Sequence, residues 1–200
     1  MANRAAFYQL LGEIAALPPN ERHERMVALH AEVTEGYCSA VARLSEQDAA
    51  RVGPDGRTVA QVIGHILEWD RFTLLGVGEL LAGVEFPRIV NNVGWLDRAG
   101  QEYTFESVDE FNAFQAQQAL TMEWTDIRDG TIRAARRLQA VFAHPNLVNA
   151  ELLERTRPFT FTLGEDLTLT LPVGWYMWML VVEHQAIEHV DEVGWGWGDA

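Results

Sequence analysis

Residues 181–193 read VVEHQAIEHVDEV. Two histidines and four acids interrupt what is otherwise the apolar sequence of a helix. Either the polar residues form a solvated face, or the helix aims some of them inward to hold something. An α-helix advances about 100° per residue, so side chains four apart lie on one face and side chains five apart do not. His184 and Glu188 are four apart and can reach one ion. His189 lies roughly 140° round from His184 at that pitch, and cannot easily share that ion. The stripe of His184 and Glu188 includes Met177, Leu180, Val181 and Asp191. That of His189 includes Val182, Gln185, Ala186 and Val193. Both contain residues a core would bury, so periodicity leaves the inward face open.

Upstream, residues 159–163 and 167–171 read FTFTL and LTLTL, alternating apolar and hydroxyl side chains. With Gly164-Glu165-Asp166 between them they predict a β-hairpin, within an insertion of about residues 157–172. Pro172 closes it, and the last helix is expected from Val173 to about Val193. The N-terminal two-thirds reads as helices. A first one over Ala2–Leu17 stops at Pro18-Pro19. A second has Asn20 as a candidate cap and carries Met26, Leu29, Val33, Tyr37, Val41 and Leu44 at helical spacing. Thr58 and Gln61 form a capping-box pattern that opens a third. Residues 83–106 lack periodicity and read as a long crossover. Ser107 and Glu110 form a second capping-box pattern, opening a helix expected to run to about Phe142 with Phe111, Phe114, Leu120, Ile127 and Leu138 buried. His144-Pro145 ends it. The expectation is one all-α domain over residues 1–200: a four-helix bundle with a long crossover and a small hairpin before the last helix.

Composition narrows the function. The 200 residues carry 29 acids against 15 bases, all arginine, for a net charge of −14. Such a balance argues against nucleic-acid partners and anionic membrane surfaces. The longest apolar run is too short to span a bilayer. The single cysteine, Cys38, excludes an internal disulfide and fits a reducing compartment, so a cytoplasmic protein is expected. Cys38 has the surroundings of a buried, inert thiol. The tryptophans Trp69, Trp124, Trp175 and Trp178 read as core. The run from Trp175 to Met179 is apolar on every side, which also makes it a candidate homodimer interface.

A third candidate ligand is His65, which follows Val62 and Ile63 and precedes Ile66 on the third helix. Two imidazoles and a carboxylate make a three-ligand site with open positions, suited to a divalent transition metal, zinc or nickel foremost. The competing reading is a set of core histidines satisfied by backbone or carboxylate partners.

Residues 58–72, TVAQVIGHILEWDRF, resemble the second helix of the DinB/YfiT-like metalloprotein superfamily, which includes the metal-binding domain of mycothiol-dependent maleylpyruvate isomerase. The likeness in order of elements spans most of residues 20–193. It implies a DinB-like bundle with a metal held by His65 and by two ligands one turn apart on the last helix. The family's usual His-x-x-x-His is absent. This chain offers His184-x-x-x-Glu188, or Gln185-x-x-x-His189 with a weak amide ligand. The expected set is therefore His65, His184 and Glu188, with His189 as the alternative. Glu183 and Glu192 are expected in solvent, or at most orienting a ligand. The resemblance implies a low-molecular-weight thiol as co-substrate and transfer or isomerisation of a small organic molecule. A metal-dependent hydrolase is one alternative. A non-enzymatic small-ligand-binding or dimeric stress-response bundle with a vestigial site is another. No general base is identifiable, although Glu68 shares a helix with His65.

Overall fold

The computed structural model describes residues 4–53, 56–164 and 167–198. The first helix, α1, spans Arg4–Ala15, and residues 2 and 3 of the expected helix lie outside the described residues. Helix α2 spans Pro19–Arg43. It starts one residue before the candidate cap Asn20, because proline at the first helical position needs no N–H partner. A short α3, Glu46–Ala49, follows with Ser45 and Asp48 capping each other reciprocally.

Helix α4 spans Val59–Leu81 and opens as expected: Thr58 N–H donates to Gln61 Oε1 at 2.8 Å, and Gln61 N–H donates to Thr58 Oγ1 at 3.2 Å. The crossover contains structure the sequence did not announce. A 3₁₀ turn, Arg88–Asn91, leads into a second antiparallel hairpin, β1 (Val93–Leu96) and β2 (Glu102–Thr104). Its ladder slips by a bulge at Gly94, whose φ of +84° favours glycine. Trp95, Tyr103 and Phe105 from this hairpin pack on Phe111 and Phe114.

The single helix expected from Ser107 to Phe142 is instead two, α5 (Val108–Ala119) and α6 (Trp124–Ala143). The Thr121 hydroxyl donates to the Gln118 carbonyl at 2.8 Å, a local alternative to the helical ladder. Leu120, expected in the core, is 60% exposed at this break. Helix α7, Ala150–Glu154, precedes the expected hairpin of β3 (Pro158–Leu163) and β4 (Leu167–Pro172). The strands pair in register, with Thr160–Thr170 and Thr162–Thr168 hydroxyl pairs on the outer face and Phe161 and Leu163 buried on the other. Glu165 and Asp166 of the expected turn lie outside the described residues.

The last helical stretch is not one helix either. Helix α8 (Val173–Glu183) passes into a π-turn over His184–Glu188 and then into α9 (Val190–Val193). The architecture is thus mostly helical with two small hairpins. Helices α4 and α6 pack together, α2 lies against α6, and α8 and the π-turn lie across α2 and α4. Trp175, Met177, Trp178 and Met179 are buried within the chain itself. Cys38 is buried as well. No described helix is long and apolar enough to cross a membrane.

Candidate metal centre

His65 sits in the middle of α4, 3% exposed, where its neighbours Val62, Ile63 and Ile66 are all fully buried. Beside it Gly64 faces the end of α5, where an added methyl group would stand 2.7 Å from Ala119 Cβ. The glycine lets α5 close over this part of α4.

Opposite stands the π-turn. Such a turn takes one residue more than an α turn, so side chains five apart adopt the relation that side chains four apart have elsewhere. The consequence corrects the expectation for His189. His184 Nε2 lies 3.1 Å from His189 Nε2 and 3.0 Å from His65 Nε2. One ligand atom from each of the three rings lies within 4.8 Å of the others, a group that could hold a metal ion.

The other expected residues fall around this trio. Glu188 is exposed, and its Oε2 reaches 3.5 Å from His184 Nε2. Glu192 places Oε2 3.9 Å from His189 Nδ1, near the ring but not hydrogen-bonded to it. Glu183 is not in solvent. It is 2% exposed, accepts the Gly164 N–H of the β3–β4 turn at 2.8 Å, and bonds Tyr8. Burial, then the charge of Glu188, pushes its carboxyl up to about 7. Glu68 pairs with Arg71 at 2.8 Å and does not line the histidine cavity. Gln185, the weak-ligand alternative, turns the other way. Its Nε2 donates to both oxygens of Asp70, at 3.2 and 3.1 Å, and its Oε1 accepts from Thr34 Oγ1 at 3.4 Å. This buried network ties the π-turn to α4 and α2. Nothing in the local pattern around Asp70 or Gln185 announces this network.

Electrostatics favour neutral rings. Burial first, then the Arg57 charge, holds His184 down to about 3. Burial and the two neighbouring imidazoles hold His65 far below the usual histidine range. Burial lifts Asp70 to about 8 against the pull of its bond from Gln185. Neutral imidazoles are the form that binds metals.

Hydrogen bonding alone does not satisfy the trio. A neutral imidazole carries one N–H and one acceptor nitrogen. If His184 Nε2 carries the proton, it has a single N–H for two neighbours. If it does not, both neighbours must place their protons on it. An ion with bonds of about 2.0–2.1 Å to each ring would use all three lone pairs at once. A cavity of about 450 Å³ opens against the rings, with Trp69, Ile89 and Leu180 in its apolar wall and Asn112, Arg4 and Arg57 among its polar groups. Comparison with known proteins supplies no relative: no family model, no curated protein and no solved structure matches the chain.

Proposed function

We propose that the protein is a divalent-metal-dependent enzyme of DinB-like type, with His65, His184 and His189 as the protein ligands. The observation that carries this reading is the convergence of three imidazole nitrogens, two buried and one half-buried, at 3.0 and 3.1 Å on one wall of a cavity. Zinc or nickel suits three nitrogen donors, and fewer than four protein ligands leaves a position for substrate. The resemblance of residues 58–72 to the DinB/YfiT-like superfamily supports the same reading. With His189 as a ligand, the missing His-x-x-x-His becomes a histidine pair spaced by one π-turn.

The activity we infer is thiol-dependent transfer or isomerisation of a small organic molecule. A bound metal would lower the pKa of a coordinated thiol from about 8.5 and so supply a thiolate at neutral pH. The chain contributes the rest. Trp69, Ile89 and Leu180 exclude water from the reacting end of the cavity, and Arg4 and Arg57 draw anionic groups toward it. Glu188 stands at the rim as an acceptor for the thiol proton. Partial burial raises its carboxyl above the usual range, opposed by His189 and Arg4. The same carboxylate favours a second reading, a hydrolase in which Glu188 takes a proton from water.

The test is elemental analysis of the purified, untagged protein with single-residue variants. About one transition metal per chain is expected, lost in His65→Ala, His184→Ala and His189→Ala and kept in Glu188→Ala. Loss in Glu188→Ala with retention in His189→Ala would reinstate the carboxylate as the third ligand. Absence of metal after incubation with zinc, nickel or manganese would leave three core histidines and the non-enzymatic alternative.

A further inference from the structure

A second cavity, of about 300 Å³, lies on another face of α4 and is enclosed by β1, the β1–β2 turn and α5. It shares no lining residue with the histidine cavity. Two of its wall residues are buried polar groups that nothing satisfies. Gln115 is 1% exposed, and neither its Nε2 nor its Oε1 has a hydrogen-bond partner among the described residues. Trp95 is 3% exposed and its Nε1 is equally unpaired. A buried polar group left without a partner loses its hydration with nothing in return. An apolar side chain at position 115 would avoid that cost, so the amide is a candidate for a task other than packing.

The charges around the cavity point to the ligand. Its acids are already engaged. Asp97 Oδ1 accepts the Ala99 and Gln101 N–H groups, each at 2.8 Å, and its Oδ2 accepts from Tyr103 at 3.4 Å. Both oxygens of Glu68 accept from Arg71 Nη1. The other edge of the Arg71 guanidinium is not used by that pair. Arg98 Nη2 donates to the thioether of Met122 at 3.3 Å, a weak acceptor for a charged donor. Arg71 and Arg98 also line a neighbouring groove with Arg133 and Arg137, which makes this side of an acidic molecule locally cationic.

We propose that this cavity binds a small organic oxyanion, with its carboxylate or phosphate head between Arg71 and Arg98 and an adjoining polar group on the Gln115 amide and the Trp95 N–H. Guanidinium forks recognise both kinds of head, and Gln115 offers a donor and an acceptor side by side. The site is independent of the metal centre.

The experiment titrates the full-length protein with succinate, inorganic phosphate and, as an uncharged control, succinamide. It follows the melting temperature and the indole N–H resonance of Trp95. Succinate or phosphate should raise the melting temperature and move that resonance, the tighter of the two naming the head group, and succinamide should do neither. Arg98→Met, a surface change, should weaken binding about tenfold, the scale of one charge-assisted hydrogen bond. Gln115→Leu should raise the melting temperature of the unliganded protein and lose the Trp95 response. The proposal is overturned if neither anion binds, if binding survives Arg98→Met unchanged, or if Gln115→Leu lowers stability and leaves binding intact.

Discussion

One position separates Glu188 from His189, and the two side chains differ in where they stand: Glu188 is exposed, and His189 is half-buried against the rings of His184 and His65. The rings of His65 and His184, kept neutral by burial, gain as ligands, because no proton has to leave before a metal arrives. A carboxylate at the rim stays in water, where it can exchange protons. Glu192 stands near His189 Nδ1, 3.9 Å away and beyond hydrogen-bond reach. Another buried histidine shows the same physics away from the centre. His30 is 1% exposed, its Nδ1 accepts the Trp178 indole N–H at 3.0 Å, and burial holds it down to about 3. The unfolded chain takes up that proton near pH 6.5 and the folded chain does not. Folding stability from this group is therefore complete above about pH 6.5 and is lost as pH falls toward about 3, by roughly 1.4 kcal/mol per unit. His30→Gln keeps an acceptor for Trp178 but cannot titrate. Urea midpoints measured across the acid range should fall less steeply in the variant than in the parent. Equal slopes would mean that other groups set the acid limit.

The π-turn is the element on which the centre depends. It brings residues 184 and 189 together, aims Gln185 at Asp70 and leaves Glu188 as the outermost of its five side chains. Deleting Glu188 would leave His-x-x-x-His, which an ordinary α turn also places on one face. Because the turn loses its one extra residue, α9 should keep its position. The expected result is a variant that still binds about one metal per chain and unfolds close to the parent. Loss of metal would show that the wide turn itself shapes the ligands. This element also marks how far the sequence could be read. Capping at Thr58, the alternation of β3 and β4, and the buried stripe of α2 follow local rules, and all are present. His65 was legible as an inward-facing candidate by the same logic, whereas periodicity left the inward face of the last helix open and His184 was favoured by the resemblance. His189 was not, because the argument against it assumed one helical pitch throughout. A change of pitch is fixed by tertiary contacts, here the Thr34, Gln185 and Asp70 network, and leaves no local pattern. The break at residues 120–123 and the hairpin of β1 and β2 were missed for a similar reason. Both are set by what packs on them, and Trp95 makes ring contacts with Tyr103, Phe105, Phe111 and Phe114.

At the scale of the molecule, the two cavities lie on separate faces of α4: imidazoles converge in one beside Arg4 and Arg57, and Arg71 and Arg98 line the other. The packing that holds them apart extends to the glycine-rich tail, which returns to the body of the protein. Trp197 N–H donates to the carbonyl of Ala186, in the middle of the π-turn, at 3.0 Å, and its ring meets Phe7 of α1 at 5.6 Å. Trp195 lies on α2, so close that a methyl group on Gly36 would overlap its ring at 2.0 Å. Gly36→Val should therefore expel Trp195 into water. The tail thus gives the candidate metal centre an optical reporter: intrinsic fluorescence of the Gly36→Val protein should shift to the red, and the metal affinity proposed for the histidine cluster should fall with it. A red shift with undiminished affinity would mean that the tail follows the turn and does not hold it.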